Sequence, residues 1–198
     1  MKTSKYSVSF PVTELGQISV EKVINEFHKW VKEQQPSQLH LDVADYSHVP
    51  DGPGILLVGF HEIIAFRLNA VEPELVITQK SPLEGEDACN LVHCLENACR
   101  YAKQFVQAFA SDISIDTQNF YVGLNDRLQE NDVVLNQLAD NLKKIDQKIN
   151  LGWETSQLND RNPKSLPRLK ITAKTNRNID ELSQHLTKSV AAAISAGK

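Results

Sequence analysis

The side chains best suited to chemistry crowd into one stretch. From Asp45 to Glu62 the chain reads DYSHVPDGPGILLVGFHE, with His40 and Asp42 just upstream. Histidine and carboxylate groups ligate metals and transfer protons. His40, Asp42, His48, Asp51, His61 and Glu62 therefore define one candidate function, a metal-assisted or acid–base enzyme. Within the strand before it, His40 and Asp42 share a face by simple alternation. Spacing argues against a single centre. The strand between Gly54 and His61 puts His48 and His61 about 15–20 Å apart. Neighbours along a strand point to opposite faces, which also parts His61 from Glu62. The stretch thus divides into a rigid turn at His48–Gly54 and a separate hairpin at His61–Glu62. In the turn, Pro50 presets φ, Asp51 suits an Asx-turn, Gly52 admits positive φ, and Gly54 lets a second backbone come close. The turn is the better binding candidate, although its prolines and glycines also serve simply to fix how the chain enters the next strand.

Other motifs carry less. Gly52 and Gly54 precede a strand, whereas phosphate-cradling loops lie between a strand and a helix N-terminus. No GxSxG, HExxH, CxxC or P-loop pattern occurs, and no metal or cofactor is implied. Asn125, Asp126 and Arg127 follow an apolar run and could orient a ligand; an ordinary capping turn with a local salt bridge is the simpler account. Cys89, Cys94 and Cys99 are spaced by five residues, about 140° of helical rotation per step, so their thiols fan apart. An odd number of cysteines points to reduced thiols and a cytoplasmic location.

Charge narrows the partners. The chain has 21 basic and 25 acidic residues, a net charge of −4, which disfavours nucleic acid. Arg161, Lys164, Arg168, Lys170 and Lys174 read as a solvated loop and strand edge. The longest apolar runs, such as Ile55–Val58, are too short to span a bilayer, and the N-terminus lacks an apolar signal core.

Hydrophobic periodicity supplies the frame. Alternation predicts strands near 6–12 (with Pro11 at the end), 39–46, 55–60, 63–68, 75–79, 120–124 and 168–173. Three- and four-residue spacing predicts helices at 19–34, at 81–110 behind the capping box Ser81-Pro82-Leu83-Glu84, at 131–149, and after Asn178. Residues 150–167 show no periodicity and read as a long loop that Trp153 pins to the body. The expected fold is α+β: a mainly antiparallel, mixed sheet of about six strands with helices on one face. That order is compatible with a ferredoxin-like core carrying an inserted hairpin. Residues 1–149 form the expected core domain, and 150–198 add a loop, a strand and a C-terminal helix to it.

The string DVADY, HVPDGPG, LLVG and HE, with FHKWV upstream and GLNDRL downstream, resembles an uncharacterised bacterial protein family common in cyanobacteria. The resemblance spans about residues 19–148 and implies a shared fold without an activity. The chain departs from that pattern at Ile63-Ile64 and Leu75-Val76. With no catalytic signature, the expected function is a non-catalytic binding or assembly module acting through protein contacts or self-association. The enzyme described above and a small-ligand sensor are the alternatives.

Overall fold

The computed structural model describes residues 5–34, 39–81, 87–109, 112–124, 131–158, 167–175 and 177–196. Its strands are β1 (Tyr6–Leu15), β2 (His40–Tyr46), β3 (Gly54–Gly59), β4 (Glu62–Arg67), β5 (Glu74–Gln79), β6 (Ile113–Ile115), β7 (Asn119–Leu124), β8 (Trp153–Gln157) and β9 (Arg168–Ala173). Its helices are α1 (Val20–Lys32), α2 (Asp87–Ala108), α3 (Asn131–Ile149) and α4 (Ile179–Ala196). The fold is α+β. The strands form one sheet in the order β2-β3-β4-β5-β1-β7-β9-β8, with β6 paired to β1 off that path. Among the described residues every pairing is antiparallel, as the mainly antiparallel expectation has it, and the strands number nine where about six are expected.

Cross-strand register sorts the side chains into two faces. Ile55 pairs with Phe66, Phe66 with Leu75 and Leu75 with Phe10. Leu57, Ile64, Ile77, Val8, Val122 and Leu169 form the next row of the same face. All are buried, and α1, α2 and α3 pack on this face. Rings lock the layers together: Phe105 of α2 meets Phe66 of β4 at 4.9 Å and Phe27 of α1 at 6.0 Å. Helix α4 packs outside, on α2 and α3.

Local chemistry explains the helix ends. Ser19 caps α1, its Oγ accepting from the Lys22 N–H at 3.3 Å, and the stripe Val23, Phe27, Trp30 faces inward. Asn178 caps α4 by accepting from the Glu181 N–H at 2.9 Å. The expected capping box falls largely on residues 82–86, outside the described residues, as do Asn125, Asp126 and Arg127.

Three further expectations need correction. Pro11 does not end β1, which continues to Leu15. It sits where β1 exchanges one partner for another, pairing with β7 up to Ser9 and with β6 from Val12. A missing N–H is tolerated at such a gap in the ladder. The second correction concerns 150–167, where Trp153–Gln157 form edge strand β8 on β9, with the Trp153 ring edge-on to Phe120 at 5.7 Å. The third is the face of His40. A bulge between His40 and Asp42 inserts Leu41 and breaks the alternation. His40 turns in toward the helices at 2 % exposure, while Asp42 stays exposed.

Candidate functional site

The β3–β4 hairpin brings His61 and Glu62 under one helix. Glu62 opens β4 on the helix-facing row, opposite Gln79. His61 lies in the turn before the strand, so strand alternation does not separate the two, contrary to expectation. Facing them, α2 carries a second stripe beside its apolar one: Asn90, His93, Asn97 and Arg100, at three- and four-residue spacing. His61, Glu62, Gln79, His93, Asn97 and Arg100 line a pocket of about 270 Å³, together with Ile77, Ser81 and Cys94.

Asn97 ties the polar groups together. Its Nδ2 donates to Glu62 Oε1 at 2.6 Å and lies 3.1 Å from His93 Nε2. An amide donor facing Nε2 places the His93 proton on Nδ1. At the floor, Gln79 Nε2 donates to Asn90 Oδ1 at 3.2 Å. Behind Arg100 stands a buried relay. His40 Nδ1 donates to the Trp30 carbonyl at 3.3 Å, so Nε2 is left to accept from the Tyr101 hydroxyl at 3.2 Å. The Arg100 guanidinium lies 5.1 Å from the Tyr101 ring centre. Its Nε is buried and has no hydrogen-bond partner among the described residues.

The electrostatics follow from burial. Desolvation pushes the Glu62 carboxyl up, opposed by the Arg100 and His61 charges. Desolvation pushes His93 down, and the same two charges add to it. Both groups move toward their neutral forms inside one pocket, a pattern concentrated at functional sites. His40 is also held down, mainly by burial. The Tyr101 hydroxyl and the Cys94 thiol are each pushed up to about 12, chiefly by burial, so Cys94 is not a nucleophile at neutral pH.

The His48–Gly54 turn lies at the other end of β3. Tyr46 accepts from the Val49 N–H at 3.0 Å, and Val49 from the Gly52 N–H at 2.9 Å. The Asx-turn belongs to Asp45, whose Oδ1 accepts from the Ser47 N–H at 2.8 Å. Positive φ falls on Asp51 (54°) and Gly54 (80°) and not on Gly52, correcting the expected roles within the turn. A Cβ on Gly54 would lie 2.2 Å from the Phe66 carbonyl oxygen, so glycine here admits the β4 backbone. The adjoining cleft holds about 20 Å³, lined by Asp51, Gly52, Gly54 and the β4–β5 turn. That is room for about one water. His48, Asp51, Gly52 and Gly54 therefore do not join His61 and Glu62. Among the described residues no three His, Cys, Asp or Glu side chains are placed to hold a metal.

His93, Asn97 and Arg100 are not among the residues the sequence singles out. Their signal was present as polar residues at helical spacing beside the apolar stripe of α2. No protein-family model and no curated protein matches this chain.

Proposed function

We propose that the protein is a binding module for a small amphoteric molecule seated between β4 and α2. The observation carrying this reading is the convergence of Glu62, Arg100, Asn97 and two histidines on one pocket from two separate elements. At about 270 Å³ the pocket lies below the range for drug-sized ligands, so it suits a small metabolite. Arg100 and His61 favour an anionic group, carboxylate or phosphonate, while Glu62 favours a cationic or N–H donor group. Free amino acids and aminophosphonates combine both. Thermal unfolding in the presence of these compounds tests the reading, because a ligand of the native state raises the midpoint. Stabilisation by amphoteric compounds, and not by simple carboxylates or amines of equal size, is expected; no shift with any of them rejects the proposal.

A second reading, proton transfer by Glu62 and His93, is favoured by their opposite displacements toward neutrality. Turnover of a bound compound that is lost in both Glu62→Gln and His93→Gln distinguishes it from binding alone. We read the frame as a ferredoxin-like core. Strands β1, β2, β5 and β7 with α1 and α2 follow the β-α-β-β-α-β order, and β3–β4 form the inserted hairpin.

A further inference from the structure

The lining of the pocket between β4 and α2 grades with burial. His61 and Ser81 are exposed, Glu62, His93 and Arg100 are half-buried, and Ile77 and Cys94 are buried. The register explains the order on the sheet side. Glu62 and Gln79 pair at the ends of β4 and β5. Ile77 stands one row further in, opposite Ile64, on the same helix-facing side.

Most polar groups of the lining are already engaged. Gln79 is used at both ends: its Oε1 accepts from the Tyr6 N–H at 3.4 Å, and its Nε2 donates to Asn90. Asn97 spends its Nδ2 on Glu62 and His93, which leaves its carbonyl. Arg100 and His61 remain for an anionic group, and Glu62 with the Asn97 carbonyl for an ammonium group. That complement suits one carboxylate and one ammonium. The innermost surface, Ile77 and Cys94, offers no partner to a further polar group. Burial pushes the Cys94 thiol up to about 12, so it stays protonated at neutral pH and packs as a small apolar group.

We propose that the ligand is an aliphatic α-amino acid of the size of valine or leucine, its charged head held by Arg100, Glu62 and Asn97 and its hydrocarbon side chain lying on Ile77 and Cys94. The inference rests on the amphoteric-ligand reading above and narrows it. Volume agrees. At about 30 Å³ for each water-sized group, the pocket of about 270 Å³ seats on the order of nine non-hydrogen atoms, which leucine fills and glycine does not. Polarity agrees as well. A hydroxyl, amide or carboxylate on the side chain would give up its water at Ile77 and Cys94 and find no hydrogen bond in return.

Isothermal titration calorimetry of the full chain tests it, with circular dichroism confirming that each variant is folded. Valine and threonine share a shape and differ by a methyl against a hydroxyl. The wild type is expected to bind valine about 10–100-fold more tightly than threonine. Leucine is expected to bind more tightly than asparagine by at least as much, and glycine more weakly than either aliphatic compound. Cys94→Ser places a hydroxyl on the innermost surface from the helix side, and Ile77→Thr places one from the sheet side. Each is expected to narrow the preference for valine over threonine by about threefold or more, a ratio that general loosening of the pocket does not move. Threonine bound as tightly as valine, or glycine as tightly as leucine, overturns the inference and leaves the amphoteric-ligand reading standing. Binding of aminophosphonates alone does the same. A preference for valine that neither variant moves overturns the assignment of the side chain to Ile77 and Cys94. No binding of any amphoteric compound at about 10 mM removes the inference and the reading together.

Discussion

Gly54→Ala separates a structural role for the HVPDGPG turn from a functional one. The built Cβ lies 2.2 Å from the Phe66 carbonyl oxygen and 2.9 Å from the Arg67 Cα, both backbone atoms that no rotamer change can move. Ordinary contact begins near 3.4 Å, so β3 and β4 must part locally by about 1 Å. Overpacking of this kind costs about 1–3 kcal/mol. Holding alanine at φ 80° adds about 1–2 kcal/mol. The reduced freedom of the unfolded chain returns about 0.4–1 kcal/mol. The net loss is about 1–5 kcal/mol, against a total stability of about 5–15 kcal/mol for a domain. Urea titration followed by the fluorescence of buried Trp30 reads this as a lowered midpoint with an unchanged slope. A loss under about 1 kcal/mol would refute the close-approach argument. The pocket at His61–Glu62 lies at the far end of β3, so compounds that bind it should still stabilise the variant.

Other perturbations address the pocket. Burial holds the Glu62 carboxyl above its ordinary 4.5, so its charge costs stability at pH values above the raised pKa, and the cost vanishes below 4.5. Glu62→Gln keeps an acceptor for Asn97 and should unfold at a higher temperature than the wild type near neutral pH, with the two converging below pH 4.5. Burial depresses His40 and His93, so their contribution is complete above 6.5 and is lost as pH falls through their lowered values. His93→Gln should therefore flatten the decline of stability on the acid side of pH 6.5, measured by thermal melts across pH. Tyr101→Phe removes the hydroxyl that donates to His40 Nε2 and leaves that buried acceptor unpaired. A loss of about 1–3 kcal/mol in urea titration is expected.

The sequence was most legible where one element has one buried face. Helix α1 reads directly because Val23, Phe27 and Trp30 recur on one side and Ser19 caps them. Strand β2 reads as a strand, yet its faces were misassigned, because Leu41 is inserted at a bulge that periodicity alone does not reveal. Strand β8 was invisible: WETSQ is an edge strand with exposed residues along most of its length, so no alternation marks it. At the site, His61 and Glu62 stood out by type. Their partners on α2 did not, because the strong apolar stripe of Leu91, Leu95, Ala98 and Ala102 masked the polar stripe alongside. Which helix covers the hairpin depends on tertiary packing between β4, β5 and α2.

Ligand binding between β4 and α2 is read directly by nuclear magnetic resonance titration of the histidine side chains with free amino acids and aminophosphonates. At least one such compound is expected to shift the His61 and His93 resonances together, saturably, and to leave His48 unmoved. Arg100→Met should weaken that binding by about 10–100-fold, the value of one charge-assisted hydrogen bond. Resonances of His61 and His93 that do not respond to any of these compounds, or shifts that survive unchanged in folded Arg100→Met, would contradict it.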